Sequence, residues 1–164
     1  MKKAPANLVN GRYALIRKLG EGSQGATFLA ADRSRKGAEV VLKIFFSSRL
    51  SDRALWEFGQ LSRLDHDGIV LVHELGTIQD APWDAAPGLE RDQGFIVEDW
   101  VDGLPISEVV DSARSSKGWI DGLAGQILEV ARSLAYLHER RLIHRDIKPG
   151  NILVRRGRAP ISTC

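Results

Sequence analysis

His144–Asn151, which reads His-Arg-Asp-Ile-Lys-Pro-Gly-Asn, is the stretch that decides the fold and the chemistry of this chain. It places a carboxylate (Asp146), an ammonium (Lys148) and a carboxamide (Asn151) close together in sequence. This set suits the transfer of a phosphoryl group from a metal-bound nucleotide. Asp146 can accept a proton from an attacking hydroxyl, Lys148 can neutralise charge on the phosphate, and the Asn151 oxygen can bind Mg²⁺. The alternative is a turn whose charges are merely solvated.

The run resembles the catalytic loop of protein kinases, and Lys148, two residues after Asp146, resembles the serine/threonine type. A glycine-rich loop, GEGSQG, lies upstream, and its glycines are Gly20, Gly22 and Gly25. This pattern alone is weak evidence, because dinucleotide-binding folds place it between a strand and a helix. Here both flanking segments have strand character. The resemblance implies that the backbone of this loop covers nucleotide phosphates, although an ordinary glycine-rich hairpin is the alternative.

Val40–Phe45 predicts a strand that carries one lysine, Lys43, among apolar residues. Lys43 either points to solvent or needs a charged partner. The resemblance implies the lysine that holds the α- and β-phosphates, with Val41 over the adenine where the family usually has alanine. It also implies a partner glutamate on the next helix, which the apolar spacing predicts over Ser51–Leu64. Glu57 is the candidate, with a solvated surface carboxylate as the alternative.

Phe95–Gly103 resembles the last strand of the family's N-lobe and the hinge after it. By that match Glu98 is the gatekeeper, Asp99 offers a carbonyl to adenine, and Val101 offers an N–H and a carbonyl. A glutamate at the back of a partly apolar pocket needs a partner. Thr27 stands where the family usually has valine and adds a hydroxyl to the apolar roof of the site.

Composition agrees with a globular protein: the 164 residues are 43% hydrophobic and carry a formal net charge of +2. The C-terminal part is basic but has no aromatic residue after Tyr136 for base stacking, so nucleic-acid binding is not favoured. The single cysteine, Cys164, excludes a disulfide framework within one chain. We find no signal peptide and no membrane-length apolar run, and we expect a cytoplasmic protein without a membrane partner.

The resemblance extends from Arg12 to Val154 and implies an α+β, protein-kinase-like fold. We expect an N-terminal extension at 1–9, an N-lobe with an antiparallel sheet and one helix at 10–98, a hinge at 99–103, and a partial, mainly helical C-lobe at 104–164. Ile120–Arg140 predicts the long helix of that lobe. Its apolar face is expected to include Leu123, Ile127, Leu134 and Leu137, widened by Leu128, Ala131 and Ala135.

The family's next motif, Asp-Phe-Gly, does not follow Asn151. We therefore expect a truncated or frameshifted gene product, or a fragment completed by a partner chain, with little or no activity by itself. In the complete form, the resemblance implies a serine/threonine protein kinase that uses ATP and Mg²⁺ to phosphorylate a hydroxyl of a protein substrate. The alternative is a catalytically silent nucleotide-binding or protein-interaction module.

Overall fold

A computed structural model describes residues 7–23, 25–46, 52–82, 88–114, 119–155 and 161–162. The chain divides into two compact units. The first comprises Met1–Arg63 and Leu71–Trp100, and the second comprises Leu64–Val70 and Val101–Cys164. The change of unit after Trp100 falls inside the predicted hinge, whereas the passage of Leu64–Val70 into the second unit was not predicted.

The first unit is built on six strands and one helix. The strands are β1 (Leu8–Val9), β2 (Tyr13–Glu21), β3 (Gly25–Asp32), β4 (Ala38–Phe45), β5 (Val72–Thr77) and β6 (Gly94–Asp99). They pair antiparallel in the order β1-β2-β3-β4-β6-β5. Helix α1 (Asp52–Leu61) follows β4 and contacts β5. Strand β1 therefore extends the sheet into the predicted N-terminal extension.

Alternation of side chains along the strands determines which face of this sheet holds the core. Successive residues of a strand point to opposite faces, so the even-numbered residues of β3 and β4 share one face. They form a single buried cluster with residues of β1, β2, β6 and the β5–β6 connection. Its members are Val9, Tyr13, Ala26, Phe28, Ala30, Val40, Leu42, Ile44, Ile78, Ala81, Leu89, Phe95 and Val97.

A partly buried ionic network lies beside this core. The Arg12 guanidinium donates to both carboxylate oxygens of Asp32, at 2.8 and 2.7 Å, and to Glu74 Oε2 at 2.6 Å. The Tyr13 hydroxyl hydrogen-bonds the same Glu74 oxygen at 3.0 Å. Asp32 is fully buried, and the Arg12 guanidinium holds the pKa of its carboxyl far below the usual range. Burial, with the Glu74 hydrogen bond, raises the pKa of Tyr13.

The second unit contains two helices and a small antiparallel sheet. The helices are α2 (Ile106–Ala113) and α3 (Trp119–Glu139), and the sheet has the order β7 (Gly103–Pro105), β8 (Ile152–Arg155), β9 (Ile161–Ser162). Helix α3 matches the predicted long helix to within one residue at each end. The sheet and α2 were not predicted. None of the helices in the described ranges is long and apolar enough to span a membrane.

Part of the apolar face predicted for α3 packs against other described residues. Leu137 is buried, and Leu123 and Leu134 pack against the cluster of Ile106, Val130 and Ile152. The other positions of the predicted apolar face, Ile127, Leu128, Ala131 and Ala135, are exposed. A polar residue, Ser133, takes a buried position instead, and its hydroxyl donates to the Glu129 carbonyl at 3.0 Å. Gly68 approaches this side chain closely, since a Cβ on Gly68 would lie 2.1 Å from the Ser133 Oγ.

Leu64–Val70 is held by residues of the second unit. The Asp65 N–H donates to the Tyr136 hydroxyl at 3.0 Å, and the His66 and Tyr136 rings lie 4.8 Å apart. At its other end, Val70 packs with Val101 and Leu153. The segment thus joins α3 and β8, although the chain on both sides of it belongs to the first unit.

Candidate active site

Four predicted nucleotide-binding residues share one face of the first unit's sheet. Thr27 pairs with Lys43 across β3 and β4, and Val41 pairs with Glu98 across β4 and β6. Directly opposed residues point to the same side of a sheet, and so do alternate residues of a strand. Thr27, Val41, Lys43 and Glu98 therefore lie together on the face opposite the core cluster. Their roles toward a nucleotide stay predictions.

Glu98 is a partner of Lys43 that the sequence did not identify. The Lys43 Nζ lies 2.9 Å from Glu98 Oε1 and 2.8 Å from Oε2. The Glu98 side chain is 9% exposed and the Lys43 side chain is 33% exposed. A carboxylate this buried needs a counter-charge, and Lys43 supplies it. The two residues are 55 apart in sequence, so only the strand pairing brings them together.

The predicted pair between Lys43 and Glu57 stays a prediction, because the side chain of Glu57 lies outside the described residues. Its position is helical as expected. The helix is shorter than the predicted Ser51–Leu64, because it ends at Leu61 and Leu64 already belongs to the second unit.

The three loop glycines fall into two groups. The loop joins β2 to β3, and the Gly22 N–H donates to the Gly25 carbonyl at 2.9 Å. A Cβ on Gly25 would lie 2.1 Å from the Ile44 carbonyl oxygen, which is main chain of β4. Gly20 and Gly22 have no atoms within 4 Å of such a Cβ. The packing of β3 on β4 is enough to require glycine at Gly25, whereas Gly20 and Gly22 leave open space where a ligand can approach.

The predicted hinge residues also have structural contacts. The Asp99 N–H donates to the Leu71 carbonyl at 3.0 Å, and its carboxylate lies 2.5 Å from His73 Nε2 and 3.8 Å from Arg35. The sequence analysis did not find these side-chain partners, since it considered only the Asp99 main chain. The Val101 side chain is buried in the cluster described above. The main-chain roles of Asp99 and Val101 toward adenine stay predictions.

The second unit brings together the three residues that the sequence predicts for a catalytic loop. Lys148 Nζ lies 3.1 and 2.9 Å from the two carboxylate oxygens of Asp146. Asn151 Nδ2 donates to Asp146 Oδ2 at 2.8 Å and to the Asp146 carbonyl at 2.9 Å. The loop is held by a bond from the Asp146 N–H to His144 Nδ1 at 3.3 Å. Arg145 has a φ of +64°, a left-handed conformation that is uncommon for non-glycine residues.

These contacts fix the charge state of Asp146. The pKa of the Asp146 carboxyl is held below its ordinary value, mainly by the Lys148 ammonium and to a smaller extent by the Asn151 amide. Asp146 is exposed. It is therefore an ionised hydrogen-bond acceptor that is open to a hydroxyl from solvent.

Asn151 and Asp146 also form a donor set that fits Mg²⁺. The Asn151 nitrogen is engaged with Asp146, so a cation would meet the amide oxygen. Mg²⁺ takes oxygen ligands and commonly binds one or two protein groups together with substrate phosphates and water. Within the described ranges there is no cluster of three or more His, Cys, Asp or Glu residues that could hold a metal by itself.

Comparison with known proteins gives consistent matches. The chain matches the sequence profile of the protein kinase domain over residues 13–162. It is 31% identical over 154 residues to serine/threonine-protein kinase C of a Synechocystis strain, covering 92% of this chain and 28% of that protein. It is 30% identical over 151 residues to serine/threonine-protein kinase PknA of Mycobacterium tuberculosis, covering 89% of this chain and 33% of that protein. The chain thus spans a third or less of these curated relatives.

Among solved structures, the crystal structure of the Mycobacterium tuberculosis PknI kinase domain superposes with a TM-score of 0.69. The match covers 97% of this chain and 61% of that chain at 23% sequence identity. At that identity the likeness concerns the fold.

Proposed function

Because this chain belongs to the protein kinase domain family, we propose that it binds Mg²⁺·ATP and carries the groups that transfer the γ-phosphoryl to a serine or threonine hydroxyl of a protein substrate. The observation that carries this proposal is the convergence of Lys148 and Asn151 on Asp146. Its relatives, which bear the names of serine/threonine kinases, support the choice of acceptor.

The second unit supplies the chemistry of the acceptor. Asp146 accepts a hydrogen bond from the substrate hydroxyl and takes its proton as the oxygen attacks. Lys148 keeps Asp146 ionised and offers an ammonium to the transferred phosphate oxygens. Bound Mg²⁺ would offset phosphate charge, and the Asn151 oxygen would be one of its ligands.

The first unit supplies the residues for the nucleotide. Lys43 provides the cation for the phosphates, and the open backbone at Gly20 and Gly22 lets N–H groups approach them. Thr27 and Val41 lie on the face that carries Lys43 and would contact the base. Main-chain groups of Asp99 and Val101 would bind the adenine edge.

The test measures two properties of the same protein: ATP binding with Mg²⁺ by calorimetry, and transfer of labelled γ-phosphate to dephosphorylated casein. The sequence predicts that transfer by this chain alone is small. Asp146→Asn should lower whatever transfer is measured by on the order of a hundredfold or more, because it removes the proton acceptor, and should change ATP affinity by less than about twofold. Transfer that is equal in both proteins would contradict the assignment of Asp146. ATP binding without any Asp146-dependent transfer would favour the nucleotide-binding module instead.

A further inference from the structure

The contact between Lys43 and Glu98 has a consequence for phosphate binding. Both Glu98 oxygens lie within 2.9 Å of the Lys43 Nζ. An ammonium has three N–H donors and a single charge. Phosphate oxygens need the same donors and the same charge, so Glu98 and a bound nucleotide make opposing demands on Lys43.

The position of Glu98 is set by the sheet. Glu98 is opposite Val41, and Lys43 is opposite Ile96, so Lys43 and Glu98 are diagonal neighbours on one face of two paired strands. The pairing of Glu98 with Val72 fixes the other side of β6. The paired strands fix the main chain of Glu98, and its side chain is buried, unlike that of a surface glutamate. The contact therefore belongs to the folded sheet.

We propose that Glu98 competes with the nucleotide phosphates for Lys43 and so weakens the binding of the triphosphate relative to that of the nucleoside. This inference rests on the proposed function and assigns Glu98 as a residue that sets the affinity of the proposed phosphate site. In the free protein Glu98 neutralises the Lys43 ammonium. When phosphates bind, the ammonium must be shared, and part of its bond to Glu98 is lost.

The experiment compares dissociation constants for ATP and adenosine, both in the presence of Mg²⁺. The ratio of the two constants is the readout, because changes in adenine contacts affect both ligands. Glu98→Gln keeps the side-chain shape and removes the charge. It should increase the preference for ATP over adenosine by about threefold to tenfold, since it replaces a charge-assisted hydrogen bond to Lys43 with a weaker neutral one at a partly exposed site.

The matched control is Glu39→Gln, which removes one exposed carboxylate from the same strand as Lys43, roughly 13 Å away along it. It should leave the ratio unchanged. The same substitution in a Lys43→Met protein distinguishes competition for Lys43 from direct repulsion between Glu98 and the phosphates. In Lys43→Met, the change Glu98→Gln should leave the ratio unaltered, because no ammonium remains to compete for. Glu98→Met is a second charge-removing variant if the glutamine protein is poorly folded, and thermal unfolding checks each protein.

The outcomes separate this inference from the proposed function. Adenosine and ATP binding with an unchanged or lowered ratio in Glu98→Gln would overturn the competition and leave the proposed function standing. A ratio that rises equally in the Lys43→Met background would also overturn it, since Glu98 would then repel the phosphates directly. Failure of the wild type and every variant to bind either ligand would overturn the proposed function and this inference together.

Discussion

Asn151 donates from one amide nitrogen to two oxygens of Asp146, the carboxylate Oδ2 at 2.8 Å and the main-chain carbonyl at 2.9 Å. One side chain thereby orients the carboxylate and the backbone of the same residue. Asn151 lies in a single turn of 3₁₀ helix, Pro149–Asn151, whose last N–H donates to the Lys148 carbonyl at 2.9 Å. The spacing of five residues between Asp146 and Asn151 is what this short turn can span.

Asn151→Ala should separate function from stability. It removes bonds to an exposed residue, so the free energy of unfolding should change by less than about 1 kcal/mol. Any phosphoryl transfer should fall on the order of a hundredfold, because Asp146 would lose its orientation and the proposed Mg²⁺ would lose a ligand. Urea unfolding and transfer to casein measure the two effects.

Asn10→Ala is the matched control for that variant. The Asn10 side chain donates to the Thr77 carbonyl at 2.8 Å and accepts from the N–H groups of Gln79 and Asp80 at 2.8 and 3.1 Å. Its removal should cost about 1–3 kcal/mol of unfolding free energy. A larger loss of stability in Asn151→Ala than in Asn10→Ala would contradict the functional reading of Asn151.

Lys148→Met should raise the pKa of Asp146. In the folded protein the pKa of Asp146 is depressed, mainly by Lys148. The ion pair therefore stabilises the folded protein above the ordinary carboxyl pKa of about 4, and this contribution is lost as the pH falls through the lowered pKa. Without the ammonium, the carboxylate should protonate at higher pH. ¹³C NMR of the Asp146 carboxyl across acidic pH gives the midpoint directly. Lys148→Arg should restore the wild-type midpoint. An equal midpoint in all three proteins would show that the Lys148 ammonium does not lower the pKa of Asp146.

Gly25→Ala and Gly22→Ala should behave differently although both glycines belong to one motif. The alanine Cβ at Gly25 would meet the main chain of Ile44, so we expect a loss of about 2–4 kcal/mol in unfolding free energy. At Gly22 the space is open, and stability should change by less than about 1 kcal/mol. Denaturant unfolding of the two variants checks this, and equal losses would show that the loop is packed otherwise.

Arg12→Met should leave Asp32 buried without its main counter-charge. Ser34 still donates to the Asp32 carboxylate through its N–H and hydroxyl, so we expect a loss of about 2–4 kcal/mol at neutral pH. Because the folded pKa of Asp32 is depressed, this loss should shrink as the pH falls below about 4. The exposed Arg91→Met is the control and should change stability by less than about 0.5 kcal/mol. A loss that is independent of pH would contradict the ionic cause.

Much of the fold could be predicted from sequence, because strand alternation and the catalytic-loop motif are local signals. The β4 strand follows from the apolar, β-branched residues around Lys43, and β3 follows from the strand character of the segment after the glycine-rich loop. What could not be predicted depends on register. The sequence around Glu98 does not show that this residue lies diagonal to Lys43 in the sheet. The sequence around Gly103 does not show that it pairs with Arg155 in β8.

The two groups of glycines show the same limit from another side. A motif marks Gly20, Gly22 and Gly25 alike, but only the distance to Ile44 shows that the last of them is required by the sheet. Ser133 is a parallel case. An apolar pattern could not select it as a buried residue of α3, because its burial depends on the close approach of Gly68.

During synthesis, Leu64–Val70 is made well before the residues of the second unit that hold it. The segment emerges early, between α1 and β5, but the Tyr136 hydroxyl that holds Asp65 is encoded 71 residues later. At typical synthesis rates of 5–20 residues per second, that interval is roughly 4–14 s. During this time Leu64, Ile69 and Val70, all buried in the finished protein, have no second unit to pack against. Until the second unit is made, the nascent chain therefore exposes this apolar stretch next to β5, an edge strand of the sheet.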